Sequence, residues 1–149
     1  MTDLWLAIAH HIAIFALFGL FIAEFVSIKP GLNSAGLRRV AAMDAIYGAL
    51  AALVIIVGVL RLFYGAKGWE FYETNPWFWA KMAVFALMGI ASIPPTLTIL
   101  RWKRENRGDP AKLPGEGEIK RVRRLLHIEA LLLGAIPLLA AAMARYGSF

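Results

Sequence analysis

Four long apolar segments constrain the fold of this chain more than any other feature of its sequence. They extend over residues 4–28, 37–64, 76–100 and 122–146. A helix of about 20 apolar residues crosses the ~30 Å hydrocarbon core of a bilayer. Because lipid offers no hydrogen-bond partners, each backbone polar group must be satisfied within its own segment, which favours helices. We therefore predict an all-α, integral membrane four-helix bundle, with residues 1–149 forming a single transmembrane domain.

The composition excludes several classes of protein and of site. The chain has 149 residues, of which 60% are hydrophobic, and it contains no cysteine. The hydrophobic fraction is too high for a soluble domain. Without cysteine there are no disulfides, thiolate metal sites, iron–sulfur clusters or covalently attached c-type haem. The sequence also lacks a nucleophile elbow, a phosphate-binding glycine loop and an HExxH motif, so classical hydrolase and transferase sites are not expected.

The distribution of basic residues predicts how the bundle is oriented. The first connection carries Lys29, Arg38 and Arg39, and the third connection, residues 101–121, is also strongly basic. Because Lys and Arg near span ends favour the cytoplasm, we expect both connections there and both termini on the periplasmic or exterior side. Attraction to anionic lipid headgroups explains the basic loop. Nucleic-acid binding is not expected, because acids are interleaved with the bases and no aromatic platform accompanies them.

Two histidines lie inside the first apolar segment. His10 and His11 are expected roughly 10 Å below the outer surface, where polar groups normally face a partner, a cofactor or water. Neutral imidazole is the commonest nitrogen ligand of haem iron and of transition metals. We therefore predict that a b-type haem (haem b) is bound, with His11 or His10 as its axial ligand. Other residues expected to contact the cofactor at this level are Arg61, Tyr64, Lys67 and Lys81.

A haem also needs an apolar slot for its macrocycle and cations for its propionates. We expect the slot along the phenylalanine stripe, the helical row formed by His11, Phe15, Phe18, Ile22 and Phe25. The cations would come from the basic residues named above. Two alternatives for the histidine pair remain open. One is a hydrogen-bonded contact between helices, and the other is a different metal or a proton relay.

The third histidine is not expected to share an iron with the first two. His127 lies near the inner end of the fourth segment, so its axial separation from His10 and His11 is roughly 15–20 Å. Two nitrogens on one iron are only ~4 Å apart. A second axial histidine would instead come from another copy of the chain, with the phenylalanine stripe as the seam of a homodimer. His127 is expected to pair with Glu24 or Asp44, or to meet lipid phosphate.

Two acids lie in the inner half of the apolar segments. Because buried acids are usually paired, we expect Glu24 and Asp44 to form ion pairs with arginines and to hold helices together. The alternative is a path for a proton or a cation. Near this level the sequence Pro94-Pro95 predicts a bend in the third long helix, with Ser92 and Thr96 satisfying the carbonyls that the prolines release.

Several sequence elements resemble a known family. They are the run AMDAIYGALAALVIIVGVLRLFYGAKGWEFYETNPWFWAK, the motifs IPPT and RW, and the closing AAMARYG. Over nearly the whole chain they resemble an uncharacterised bacterial inner-membrane family, domain of unknown function 2214. The resemblance implies a multi-pass protein of the bacterial inner (plasma) membrane. It also implies that His11 and the aromatic, basic second connection are family features, but it brings no established activity.

The layout also resembles, more distantly, two groups of four-helix membrane proteins. These are the haem-dependent bacterial protoporphyrinogen oxidase and the copper-resistance D family, in which a histidine of the first helix is a recurrent ligand. His10 or His11 matches that position. The oxidase also uses a lysine in its second helix, where this chain has Arg38 and Arg39, and arginine does not normally ligate iron.

These observations predict a membrane b-type haem protein, a homodimer, that carries out redox chemistry on the periplasmic side. The chemistry would be electron transfer or oxidoreduction of a small molecule or porphyrin, which would make it a haem-dependent oxidoreductase. Two other functions remain open. One is a non-enzymatic assembly or interaction protein of the lipid bilayer, and the other is a metal or ion carrier that uses Glu24 and Asp44. The sequence identifies neither the substrate nor the redox partner.

Overall fold

The computed structural model describes residues 2–65 and 68–146. Within these ranges the chain is helical and contains no strand, which confirms the predicted all-α class. The helices are α1 (Thr2–Ser27), α2 (Ser34–Tyr64), α3 (Gly68–Glu73), α4 (Pro76–Gly108) and α5 (Glu116–Tyr146). By length and composition, α1, α2, α4 and α5 can each cross a membrane. The predicted four-helix membrane bundle is therefore confirmed.

Consecutive long helices pack along one another. Helix α1 packs on α2, α2 on α4, and α4 on α5, while a smaller contact between α5 and α1 closes the bundle. Because short connections join neighbours, the helices alternate in direction. The bundle therefore has a termini end, where α1 and α4 begin and α2 and α5 finish. It also has a basic end, where α1 and α4 finish and α2 and α5 begin.

The long helices extend into the segment that the sequence predicts to be a loop. Residues 101–121 are predicted as a basic loop, whereas α4 continues to Gly108 and α5 begins at Glu116. The continuation carries good helix formers and is supported by an ion pair from Arg101 to Glu105 at 3.9 Å, one turn away. At ~1.5 Å per residue, α4 and α5 are roughly 45–50 Å long, which exceeds the ~30 Å core. The charged turns therefore project beyond the hydrocarbon.

Polar contacts fasten the connections at the basic end. Asn106 donates from Nδ2 to the carbonyls of Pro110 and Lys112, at 3.0 and 3.1 Å, and to Ser34 Oγ at 3.0 Å. Arg123 donates to the carbonyl of Ile28 at 2.6 Å. These contacts join the α4–α5 loop to the start of α2, and α5 to the last turn of α1. Hydrogen bonds thus hold the connections and helix ends together at the basic end.

The connection between α2 and α4 is partly helical. The short helix α3 places Tyr72 against the bundle, and Asn75 accepts a hydrogen bond from Trp77 N at 2.9 Å to cap α4. Pro76 occupies the first turn of α4, where its missing N–H costs nothing. Lys67, a predicted cofactor residue of this connection, lies outside the described residues.

Apolar side chains divide between an interior and a lipid-facing surface. The interior combines residues from all four long helices; its members include Trp102, Leu17, Phe21, Met88, Ile99, Ile119, Leu126 and Leu133. The outer surface carries many exposed apolar side chains, such as Ile12, Phe15, Ile22, Leu131 and Leu138. Large apolar surfaces around the whole bundle are expected where lipid, rather than water, is the surrounding solvent.

The positions of the charges at the basic end lead to a topology prediction. We expect a C-terminal alkaline phosphatase fusion, expressed in bacteria, to be active, because the positive-inside rule holds the basic end in the cytoplasm. A fusion made within residues 109–115 should be inactive and should fluoresce when green fluorescent protein replaces the phosphatase. A fluorescent C-terminal fusion would reverse the assigned orientation.

Candidate functional site

Three carboxyl groups meet inside the bundle. Glu24 of α1, Asp44 of α2 and Glu129 of α5 are 2%, 5% and 1% exposed, and together we call them the carboxyl cluster. Each belongs to the buried row of its helix, because it follows other buried residues at spacings of three or four, as Glu24 follows Phe21. Asp44 and Glu129 lie within electrostatic range of Glu24. Three different helices therefore contribute to one acidic site.

Two hydroxyl groups hold two of the three carboxyls. Tyr47 donates to Glu129 Oε1 at 2.6 Å, and Thr96 donates to Asp44 Oδ1 at 2.7 Å. The sequence predicts that Thr96 donates to a backbone carbonyl. It donates to the carboxyl cluster instead, because the Asp44 side chain faces it across the α2–α4 interface. Ser92 donates to the carbonyl of Gly89 at 2.8 Å, which is not one of those that the prolines release, since Pro94 and Pro95 release the carbonyls four residues earlier.

Glu24 has no such partner. Among the described residues, no side chain or backbone group donates a hydrogen bond to its carboxyl, and no cation lies within ion-pair distance. Its electrostatic neighbours are the two other acids. In a dry interior, three negative charges cannot coexist without a compensating proton or cation. The carboxyl cluster is therefore a place where positive charge must be taken up.

The predicted ion pairs between these acids and arginines are wrong for the described part of the chain. Arg123 donates to the carbonyl of Ile28 and lies over the Phe25 ring at 5.1 Å, while Arg101 pairs with Glu105 and Glu118. These two guanidinium groups stay at the basic end, and that of Arg123 lies at the carbonyls where α1 finishes. The acids lie deeper: Asp44 and Glu129 are roughly 15–20 Å from where their helices begin.

His127 also has a different environment from the one predicted. Its Nδ1 donates to the carbonyl of Arg123 at 2.6 Å, and its ring meets Phe25 edge-on at 4.8 Å. It forms no contact with Glu24 or Asp44, because its side chain is exposed on α5 whereas Glu129, two residues later, points inward. The expected His127–acid pair is therefore wrong.

At the termini end, the structure brings together three of the six predicted cofactor residues. His10 of α1 is half-buried against Gly58 of α2, so close that a Cβ on that glycine would lie 3.3 Å from His10 Cε1. Arg61 and Lys81, also half-buried, act electrostatically on His10. His10, Arg61 and Lys81 form what we call the basic cluster.

The two neighbouring histidines face different surroundings. Whereas His10 faces the bundle, His11 lies on the exposed side of α1, and the two ring centroids are 6.4 Å apart. His11 Nδ1 donates to the carbonyl of Ala7 at 2.6 Å. Because a carbonyl can only accept, Nδ1 carries the hydrogen, and in the neutral ring Nε2 keeps its lone pair. Tyr64 is 67% exposed at the end of α2.

Within residues 2–65 and 68–146, one chain alone shows no slot for a haem macrocycle along the phenylalanine stripe. The phenylalanine stripe is divided, because Phe15 is 72% exposed whereas Phe18 and Phe25 pack against the core, and the backbone of α2 lies directly against His10. Two pockets, of about 260 and 240 Å³, lie at the basic end and are lined by residues such as Lys120, His127, Arg38 and Arg107. None of the predicted cofactor residues lines them. A haem at His11 therefore requires a second surface, such as another copy of the chain.

Sequence reasoning missed three residues of the carboxyl cluster and its surroundings. Glu129 follows Leu126 by three residues and precedes Leu133 by four, so its place in an apolar helical row was a signal for a buried acid. Tyr47 likewise follows a buried residue of its helix, Asp44, by three residues. Nothing in the local sequence of Thr96 indicates that it donates to Asp44, because that contact joins two helices.

We expect Tyr47→Phe to lower the free energy of unfolding by about 1–3 kcal/mol, because it leaves a buried carboxyl without its donor. The measurement is unfolding of the detergent-solubilised protein. Tyr64→Phe is the matched control, since the exposed Tyr64 hydroxyl has no partner among the described residues. Equal losses in the two variants would show that the Tyr47–Glu129 contact does not stabilise the bundle.

Comparison with known proteins identifies the family. Residues 2–147 match a family described as a predicted membrane protein, DUF2214. No curated protein and no solved structure matches the chain. The match covers all five helices, in agreement with the resemblance seen in the sequence. The chain therefore belongs to the DUF2214 family of predicted membrane proteins.

Proposed function

We propose that this protein is a membrane carrier that binds and releases protons at the carboxyl cluster. One observation carries the proposal: Glu24 is buried to 2% exposure beside two other buried acids, with no donor or cation among the described residues. An intramembrane carboxyl without a structural partner is typical of proton and ion pathways. A residue that served only to join helices would be expected to have a partner on another helix.

A proton suits the cluster better than a metal ion. Among the described residues, no group of three or more His, Cys, Asp or Glu side chains is arranged to hold a metal. The Tyr47 and Thr96 hydroxyls already donate to Glu129 and Asp44, which leaves fewer oxygens free to converge on one ion. A proton needs only one oxygen. Proton binding therefore requires no rearrangement of the two held carboxyls.

The three carboxyl groups differ in whether a hydroxyl group is hydrogen-bonded to them. The hydroxyl contacts hold Asp44 and Glu129 in position, and the Glu24 carboxyl is left to take up or give up the proton. Helix α4 carries Pro94 and Pro95 directly before Thr96. Prolines remove backbone hydrogen bonds from a helix and favour bending there. A bend at this point would change the Thr96–Asp44 contact and with it the charge that the cluster can hold.

Proton flux into proteoliposomes that contain a pH-sensitive dye tests the proposal. Under an imposed potassium diffusion potential, the wild-type protein should acidify or alkalinise the lumen faster than empty liposomes do. We expect Glu24→Gln to lower that rate roughly 100-fold, as loss of a positioned proton-transfer group does. Glu70→Gln, which alters an exposed acid of α3, is the matched control.

Two results would contradict the proposal. The first is a flux no greater than that of empty liposomes at every potential applied. The second is a Glu24→Gln protein that conducts as well as the wild type. The folding of each variant is checked by its unfolding temperature, so that a lost bundle is not mistaken for a lost proton site.

A second candidate function is haem binding between two copies of the chain. It is supported by His11, whose Nδ1–H is held by the Ala7 carbonyl while its ring is exposed beside the phenylalanine stripe. Haem-ligating histidines commonly have this arrangement, in which a backbone carbonyl fixes the ring and Nε2 faces the iron. His11 of each copy would hold the group, with the two stripes as the apolar walls. A haem bound there would supply one-electron redox chemistry on the side of the termini.

The visible absorption spectrum of the purified protein tests this candidate. If haem binds at His11, the protein should show a Soret band that is lost in His11→Ala. His127→Ala is the matched control, because His127 is also exposed and donates to a carbonyl four residues earlier. Colourless wild-type protein, or a band that survives His11→Ala, would exclude His11 as the ligand.

A further inference from the structure

The basic cluster at the termini end contains positive charge without a counter-charge. Arg61 and Lys81 are both half-buried, and no acid of the described residues forms an ion pair with either of them. Asp3 lies beside Gly65, about one turn beyond Arg61, and also forms no ion pair. Lys81 Nζ instead lies 4.0 Å from Met143 Sδ and 5.4 Å from the centre of the Phe78 ring. These are weak partners for an ammonium group.

Two buried nitrogens of the same cluster have no hydrogen-bond partner. His10 Nδ1 and Arg61 Nε are both inaccessible to solvent and form no hydrogen bond. An unpaired buried donor costs about 1–3 kcal/mol, and an unpaired buried charge costs more. Lysine and arginine near a membrane surface usually extend toward water to avoid this cost. The Arg61 side chain does not avoid it, since its Nε is enclosed.

We infer that His10, Arg61 and Lys81 form a binding site for an anionic phosphate group. The inference is independent of proton binding at the carboxyl cluster, since the two sites share no residue. A phosphate presents several oxygens in a tetrahedral arrangement, so it can accept from an imidazole, a guanidinium and an ammonium that approach from three helices. It would supply the missing negative charge and would accept hydrogen bonds from the guanidinium and ammonium N–H groups.

The depth of the cluster agrees with a phosphate of a lipid headgroup or of the surrounding solution. Arg61 lies three residues before α2 finishes, and Lys81 five residues after α4 begins. Aromatic side chains of the kind that lie at headgroup level are exposed at the same end, namely Tyr64, Trp69, Trp77 and Trp79. Both sources present the same phosphate group to the site. Inorganic phosphate and a phosphate-bearing lipid, used as separate probes, distinguish them.

Gly58 allows the third donor to reach the site. Because it has no side chain, the imidazole of His10 lies against the backbone of α2, where a Cβ would come within 3.3 Å of Cε1. Gly58→Ala should therefore displace the ring by a few tenths of an ångström without changing any charge. This variant tests the position of His10 separately from the charge of the cluster.

The experiment measures the unfolding temperature of delipidated protein in detergent by tryptophan fluorescence, with two probes. One probe is inorganic phosphate, and the other is phosphatidylglycerol, compared with phosphatidylcholine, whose phosphate already has a cationic partner. A ligand that binds only the folded protein raises its stability with concentration. We expect at least one of the two anionic probes to raise the unfolding temperature of the wild type.

The variants identify the site. Arg61→Gln and Lys81→Gln should each raise the probe concentration needed for the same rise in unfolding temperature, by roughly 10- to 100-fold. Loss of a charge-assisted hydrogen bond has an effect of this size. Gly58→Ala should weaken it less. Arg39→Gln, an exposed arginine of the basic end, is the matched control and should respond as the wild type does. Without probe, Arg61→Gln should be at least as stable as the wild type, because it removes an unpaired buried charge.

The possible results distinguish a soluble phosphate, a lipid phosphate and the absence of a phosphate site. A response to inorganic phosphate assigns the site to a soluble phosphate, and a response to phosphatidylglycerol alone assigns it to a lipid headgroup. No response to either probe overturns the inference. So does a response that Arg61→Gln, Lys81→Gln and Gly58→Ala all leave unchanged. If one of the charge variants does not fold, the other and Gly58→Ala still decide the result.

Discussion

The structure depends on one constraint, which is that lipid gives no hydrogen bonds to polar groups. The helical backbone meets this constraint along α1, α2, α4 and α5, whose surfaces are apolar toward the surrounding lipid. Polar side chains inside the bundle must then find partners in the protein. Tyr47 and Thr96 do so by donating to buried carboxyls on neighbouring helices. Glu24 has no such partner among the described residues, and the proton-binding proposal rests on this difference.

The unpaired polar groups separate by charge along the bundle. The carboxyl cluster lies toward the basic end and has acids without a cation, whereas the basic cluster lies toward the termini end and has cations without an acid. The two clusters are too far apart along the helix axes to neutralise each other: Glu24 follows His10 by fourteen residues of α1, roughly 20 Å. Each therefore attracts an external ion of the opposite charge. This separation is the basis of both the proton-binding proposal and the phosphate inference.

At the basic end, hydrogen bonds fasten the connections to the helices. Asn106 and Arg123 connect loop and helix carbonyls that would otherwise be unsatisfied, and the extended ends of α4 and α5 carry charge past the hydrocarbon. By contrast, Pro94 and Pro95 lie in α4 beside Thr96, which contacts the carboxyl cluster. The chain thus has two prolines inside a helix next to the buried acids, and its hydrogen-bonded connections lie away from them.

The sequence alone determined the number of spanning helices, the extent of their apolar portions and the approximate level at which each polar residue lies. These quantities follow from counting apolar residues and charges along the chain, and they correctly brought His10 to the level of Arg61 and Lys81. Only the tertiary structure decided which way each side chain points: that His11 faces outward, that Glu129 joins Glu24 and Asp44, and that the arginines leave these acids unpaired. The physical reason is that lipid and protein interior are both apolar. The pattern of hydrophobic residues therefore indicates only weakly how a spanning helix is rotated about its axis. Packing against the neighbouring helices sets that rotation.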